Sequence, residues 1–153
     1  MSNPVAPRAI AALTANDIDA IIAQVRFNDQ GLVPAIAQQF DTREVLMMAW
    51  MNAESIRRSL VEQRAVYWSR SRQELWRKGD TSGAAQQLHG FAVDCDADTV
   101  LLQVDQTGAA CHTGTRTCWD GDTLAVSDTA AIAHESANGA TAGTSLHSAD
   151  TQA

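Results

Sequence analysis

Two apolar periods alternate along this chain, and the switches between them mark out its elements. Ile18, Ile21, Ile22 and Val25 recur at helical spacing, which predicts a short amphipathic helix over 15–26. Thr14, with Asp17 three positions on, supplies a capping box at its start, with Asp in place of the more usual Glu. Strand-like runs over 32–40 and 44–51 flank the turn Asp41-Thr42-Arg43, which predicts a hairpin. Asn52 suits the N-cap of a helix over 53–62, with Ile56 and Leu60 on its buried face. Residues 65–69, rich in Val and aromatics, predict a third strand. The Arg-, Ser-, Thr- and Gly-containing stretch 70–83 reads as a long loop, and long irregular loops are often functional. Two more strands follow, 86–95 and 99–105, joined at Asp96-Ala97-Asp98. Alternation in the first sets His89, Phe91, Val93 and Cys95 on one face and Asp94 on the other.

Together these elements predict an α+β domain over 14–121, mainly antiparallel sheet with two short helices. The Ala/Pro-rich residues 1–13 read as a flexible N-terminus. Beyond Gly121 the chain turns to Ala, Thr, Ser, Gly and Asp without a Lys or Arg, so 122–153 is expected to be a disordered tail. A length of 153 residues suffices for one domain with a real core. There is no apolar run of membrane-spanning length and no secretory pattern at the start. A cytoplasmic protein with reduced thiols is the expectation.

Charge adds a second layer. The net charge of −7 disfavours nucleic acid as a partner. Yet Arg57, Arg58, Arg64, Arg70, Arg72, Arg77 and Lys78 place seven of the eleven basic residues within 57–78, opposed there only by Glu62 and Glu74. Arg57 and Arg58 read as a solvated face. The rest, mixed with Trp68, Ser69, Ser71 and Trp76, point to a small anionic ligand such as a phosphate ester.

The strongest chemical signal lies further on. All three cysteines fall between positions 95 and 118, among Asp94, Asp96, Asp98 and His112. Scattered cysteines are usually core residues, but an odd, clustered set does not make a disulfide framework. Thiolates prefer zinc and carboxylates a hard ion such as magnesium. Three thiolates would leave zinc one open position, the arrangement of a catalytic site. If Cys95 and Asp94 point apart, they serve two separate ions, or Cys95 is donated across an interface.

Five blocks, in register and covering roughly 14–119, resemble the phosphoribosyl-AMP cyclohydrolases of histidine biosynthesis. They are Glu44-Val45-Leu46-Met47-Met48-Ala49-Trp50-Met51-Asn52, Val66-Tyr67-Trp68-Ser69-Arg70-Ser71-Arg72, Leu75-Trp76-Arg77-Lys78-Gly79-Asp80-Thr81-Ser82-Gly83, Asp94-Cys95-Asp96-Ala97-Asp98, and Cys111-His112-Thr113-Gly114 with Cys118. The resemblance implies hydrolytic opening of the adenine ring of 1-(5-phosphoribosyl)-AMP between N1 and C6, giving the formimino-aminoimidazole-carboxamide ribotide at the third step of the pathway. It implies an intertwined cytoplasmic homodimer with shared active sites. Cys95, Cys111 and Cys118 would hold one zinc per subunit, Cys95 coming from the partner, and Asp94, Asp96 and Asp98 would hold magnesium. Two positions depart from the family pattern: Ala84, where His or Asn is frequent, and Asp80 in place of Glu. A stretch as short and polar as 122–153 does not suit the pyrophosphohydrolase domain that some relatives carry, so a single activity is expected.

The chemistry assigns further candidates. His112, beside Cys111, is a candidate general base, or else a solvated neighbour of the metal. His89 reads as structural. Arg70, Arg72, Arg77, Lys78, Thr81 and Ser82 are candidates for the substrate's two phosphates. Trp68 and Trp76 suit either purine stacking or core packing, and Trp50 and Trp119 packing. Two other readings compete. A nucleobase deaminase would need His-x-Glu and Cys-x-x-Cys blocks, which are missing here. A zinc-stabilised binding module would use His112 as a fourth ligand.

Overall fold

The computed structural model describes residues 7–121 and 123–129. Two units divide at Asp120 and Gly121, and all the named elements belong to the first. They run α1 (Ala15–Gln24), β1 (Val33–Gln39), β2 (Val45–Met51), α2 (Ala53–Glu62), β3 (Val66–Ser69), β4 (Glu74–Arg77), β5 (Gln86–Val93) and β6 (Val100–Gln106). Of the expected disordered tail, 122 and 130–153 lie outside the described residues, as do residues 1–6 of the expected flexible N-terminus. Within the rest of that terminus, Ile10–Ala12 makes a 3₁₀ turn, and Ile10 and Leu13 pack against the core. Among the described residues no helix is long and apolar enough to cross a membrane.

Local chemistry explains both helix starts. Thr14 and Asp17 form the expected reciprocal capping box. At α2, Asn52 Oδ1 accepts from the Ser55 N–H at 2.8 Å while Ser55 Oγ accepts from the Asn52 N–H at 2.9 Å, so two otherwise unpaired donors are satisfied. Ile56 and Leu60 are buried as the pattern requires. So are Ser55 and Ser59, which periodicity in apolar residues does not reveal. Ser59 Oγ donates to the carbonyl of Ser55 at 2.7 Å, and its lone pairs take the Val66 N–H at 2.9 Å. One hydroxyl thus pins α2 to the start of β3. Ser59→Ala should cost about 1–3 kcal/mol, because a buried N–H loses its acceptor. Urea unfolding of the two proteins measures it.

The six strands form one sheet in the order β4-β3-β2-β1-β6-β5. Four pairings are antiparallel, but β1 and β6 are parallel, from Ala35 opposite Val100 to Gln39 opposite Val104. The sheet is therefore mixed: mainly antiparallel as expected, with one parallel pairing in its interior. The chain leaves β1 by the expected hairpin and returns to its other edge only after α2 and three more strands. At the far end, Arg64 bridges Gln87 and the Leu88 N–H reaches the Gln63 carbonyl. The sheet curls so that β5 meets the residues leading into β3. Val33, Ala35, Leu46, Met51, Tyr67, Val100, Leu102 and Val104 fill its inner face, covered by Ile18 and Val25 around α1 and by Ile56 and Leu60 of α2.

Two further expectations change. The stretch 70–83 is not all loop: Glu74–Arg77 pairs with Val66–Ser69 as a second hairpin, turning at Gln73 with φ 54°. The strand expected over 86–95 ends at Val93, and a bulge between Leu88 and Gly90 shifts its register. An extra residue reverses the alternation, so His89 does not share a face with Phe91. It is exposed and stacks on Phe40, with ring centroids 4.0 Å apart. Cys95 and Asp94 lie in the β5–β6 turn, where strand alternation no longer applies.

Candidate active site

The β4–β5 connection and the segment after β6 border a cavity of about 1110 Å³. Arg72, Arg77, Lys78, Thr81, Ser82, Cys111, His112 and Cys118, singled out from the sequence, all line it, as does Trp76. Residues 107–121, which follow β6, contain no helix or strand. Its backbone sets its shape. Cys111 N–H reaches the Thr115 carbonyl at 3.2 Å, Gly114 turns the tip, and Cys118 N–H reaches the Leu46 carbonyl of β2 at 2.8 Å. The two cysteines so lie at the ends of one tight loop.

Their thiols are not equivalent. Cys111 Sγ accepts from the Thr113 hydroxyl at 3.0 Å. That bond, with the Thr113 backbone N–H, holds the thiol down at about 6. Burial pushes Cys118 up, and the hydrogen bond to Cys111 and its negative charge add to this. Two sulfurs within hydrogen-bond reach, one a thiolate near neutral pH, form a soft donor pair suited to zinc. Lys78, almost fully buried, has its ammonium destabilised by desolvation and supported by the charges of Cys118 and Cys111. Its Nζ also stands 5.7 Å from the Trp76 ring centroid. Trp76 tilts against Tyr67 at 5.6 Å, so it serves packing and cavity wall together.

The basic residues part company. Arg77 is held by Glu62 at 2.7 Å and lies 3.7 Å from Asp80, and Arg72 pairs with Glu74 at 3.3 Å. Arg70 does not reach this cavity. Its guanidinium sits 4.8 Å above the Trp50 ring and lines a smaller pocket of about 480 Å³ with Trp68. Trp119, expected to pack, is 59% exposed in the single chain.

Thr81 and Ser82 occupy a turn closed by the Gly83 N–H on the Gly79 carbonyl at 2.9 Å. Gly79 has φ +87°, and a Cβ there would stand 2.3 Å from the Ala85 nitrogen. Neither the positive φ nor the clash with backbone can be relieved by a rotamer change. Gly79→Ala should therefore cost at least about 1–2 kcal/mol of stability and displace the turn, raising KM more than it lowers kcat. Thermal melts and steady-state kinetics check both.

Asp94, Asp96 and Asp98 form a separate cluster with ligand oxygens within 4.8 Å of one another. Asp94 Oδ1 accepts the N–H groups of Asp98 at 3.1 Å and Thr99 at 3.2 Å, which shapes the turn. The charges of Asp98 and then Asp94 raise Asp96. Oxygen donors under mutual repulsion suit a hard divalent cation. Cys95 projects from the same turn, exposed, and is not among the residues lining the Cys111–Cys118 cavity. Within one chain the three cysteines do not form one site.

Sequence reasoning missed Gln39, Gln86, Gln106 and Arg116. A signal was there: Gln39 and Gln106 continue the inward-facing period of Val33, Ala35, Ala37 and of Val100, Leu102, Val104.

Comparison with known proteins fits this geometry. The family model described as phosphoribosyl-AMP cyclohydrolase matches residues 47–120. A protein of that name from Leifsonia xyli subsp. xyli is 61% identical over 108 residues, 71% of this chain and 86% of the relative. One from Micrococcus luteus is 60% identical over 119 residues, 78% and 94%. One from Rhodospirillum centenum is 54% identical over 128 residues, 80% and 96%.

Proposed function

The chain belongs to the phosphoribosyl-AMP cyclohydrolase family, and from that premise we propose that it hydrolyses the N1–C6 bond in the adenine ring of 1-(5-phosphoribosyl)-AMP. The observation that carries this reading is one cavity lined by a thiol pair, a histidine, an indole and a buried lysine. Substitution on N1 leaves the substrate ring cationic and C6 electrophilic. Water adds to C6, N1 departs with a proton, and C6 becomes the carboxamide carbonyl.

Cys111 and Cys118, with Cys95 of a second chain, are the proposed zinc ligands, and Asp94, Asp96 and Asp98 the proposed magnesium ligands. When bound, zinc supplies Lewis acidity that makes water nucleophilic at neutral pH. The chain's own groups do the rest. His112, exposed on the cavity wall, accepts the proton of the attacking water and returns one to N1. The Trp76 ring offers a face to the purine. Lys78 and the Thr81–Ser82 turn offer charge and N–H donors to a phosphate. Arg77 and Arg72, already ion-paired, contribute less there than their charge suggests. Ala84 also lines the cavity, at the position where the family resemblance implies a larger polar side chain.

Incubating the zinc-loaded protein with 1-(5-phosphoribosyl)-AMP and separating the products tests the reaction. The ring-opened ribotide is expected. Unchanged substrate would return the chain to the class of zinc-stabilised binding modules, and release of ammonia would make it a deaminase.

A further inference from the structure

A chain of buried amides runs from the core of the sheet to the cysteine loop, and Arg116 ends it. Tyr67, whose phenol burial keeps protonated, donates to Gln86 Oε1 at 2.6 Å. Gln86 Nε2 donates to Gln106 Oε1 at 2.7 Å. The Gln106 N–H donates to Gln39 Oε1 at 3.0 Å, and Gln106 Nε2 to the Thr107 carbonyl at 2.8 Å. Arg116 then closes the network from the loop side. Its Nη2 donates to the same Gln39 Oε1 at 3.0 Å. Its Nη1 donates to the carbonyls of Gln106 and Gly108, both at 2.9 Å. Its Nε meets Glu44 at 3.1 Å.

Arg116 stands between Cys111 and Cys118, and its carbonyl takes the Ala110 N–H at 3.1 Å. Residues 107–118 lack helix and strand; the Cys118 N–H on the Leu46 carbonyl anchors their exit, and the Arg116 side chain links that exit to the entry at 106–108 and to Gln39 of the sheet. The guanidinium fork has the right form for this, since planar N–H groups reach three acceptors and a carboxylate at once. A lysine ammonium cannot span them. Because the network is satisfied along its length, its members have one arrangement rather than several.

We propose that Arg116, seated on Gln39 and Gln106, is the positioning residue that sets the Cys111–Cys118 separation for the metal. The proposal rests on the reading that these two cysteines hold zinc. Supporting residues around metal ligands typically change affinity about 10–100-fold when altered.

The test uses the full-length chain as wild type, Arg116→Lys, Glu44→Gln and Cys111→Ser. Zinc affinity is measured by competition with a chromophoric chelator, the ligand field by absorption of the cobalt-substituted protein, and folding by melting of the metal-free chain. Arg116→Lys should bind zinc about 10–100-fold more weakly and shift the cobalt bands. Glu44→Gln, which leaves an acceptor oxygen for Nε but removes its charge, should do the same to a smaller degree and answers the question if the lysine variant does not fold. A lowered melting temperature with unchanged zinc affinity and cobalt spectrum would make Arg116 a stability residue only and overturn the proposal. If Cys111→Ser itself leaves zinc affinity and the cobalt spectrum intact, the zinc reading falls, and the proposal with it.

Discussion

Cys111→Ser is expected to abolish turnover and strip the protein of zinc. Cys111 is the sulfur best prepared to bind: it already accepts the Thr113 hydroxyl at 3.0 Å and is held down at about 6. A serine hydroxyl would remain protonated in that place and is a poor ligand for a soft ion. Alterations around metal ligands already cost about 10–100-fold, so loss of a ligand should exceed about 100-fold in kcat. Cys118→Ser and Cys95→Ser should behave alike, since a three-thiolate site has no spare donor. Metal analysis of the purified variants together with their turnover decides it. Wild-type zinc content in any one of them would remove that residue from the ligand set.

Mixing two dead variants should restore activity. Cys95 sits in the β5–β6 turn while Cys111 and Cys118 face the cavity, so one chain does not assemble three thiols. If a second copy supplies Cys95, a heterodimer of Cys95→Ser and Cys111→Ser has one site with both defects and one with neither. Two-fold symmetry then predicts about half the wild-type activity per heterodimer. If one chain supplied all three ligands, every site would keep a defect and nothing would return. Subunit exchange is followed by tagging the two variants differently and isolating the doubly tagged species. A doubly tagged dimer without activity would reject the shared site.

How far the sequence reached depended on how local the cause was. Both helix starts were legible because Thr14 with Asp17, and Asn52 with its neighbours, satisfy donors three residues away. The hairpin at Asp41-Thr42-Arg43 was legible for the same reason. The strand Glu74–Arg77 was not, because four residues among turn-formers carry too little period to stand out. The parallel pairing of β1 with β6 was invisible, since nothing in either strand names a partner so far along the chain. The bulge at His89 reversed an alternation that periodicity alone takes as unbroken.

At the site, residue types told more than positions. Cys111, His112, Cys118 and Lys78 were legible as chemistry and do come together around one cavity. That Arg77 is occupied by Glu62, and that Arg70 lies over Trp50, follows from tertiary packing no local pattern records. Arg116 was passed over, because its pairing with Gln39 and Gln106 exists only once the two strands lie side by side.

That side-by-side pairing also fixes an order of events. Gln39 and Gln106 meet across 67 positions of chain, with β2, α2, β3, β4 and β5 lying between their two strands. Contacts of such long range form late, because the loop they close must first be paid for in entropy. The cysteine loop follows β6 and leans on it, so Cys111 and Cys118 are expected to be gathered last, on a scaffold already built. If the pair binds zinc as proposed, metal capture would report completion of the fold rather than start it, unlike small zinc domains that are unfolded until the ion arrives.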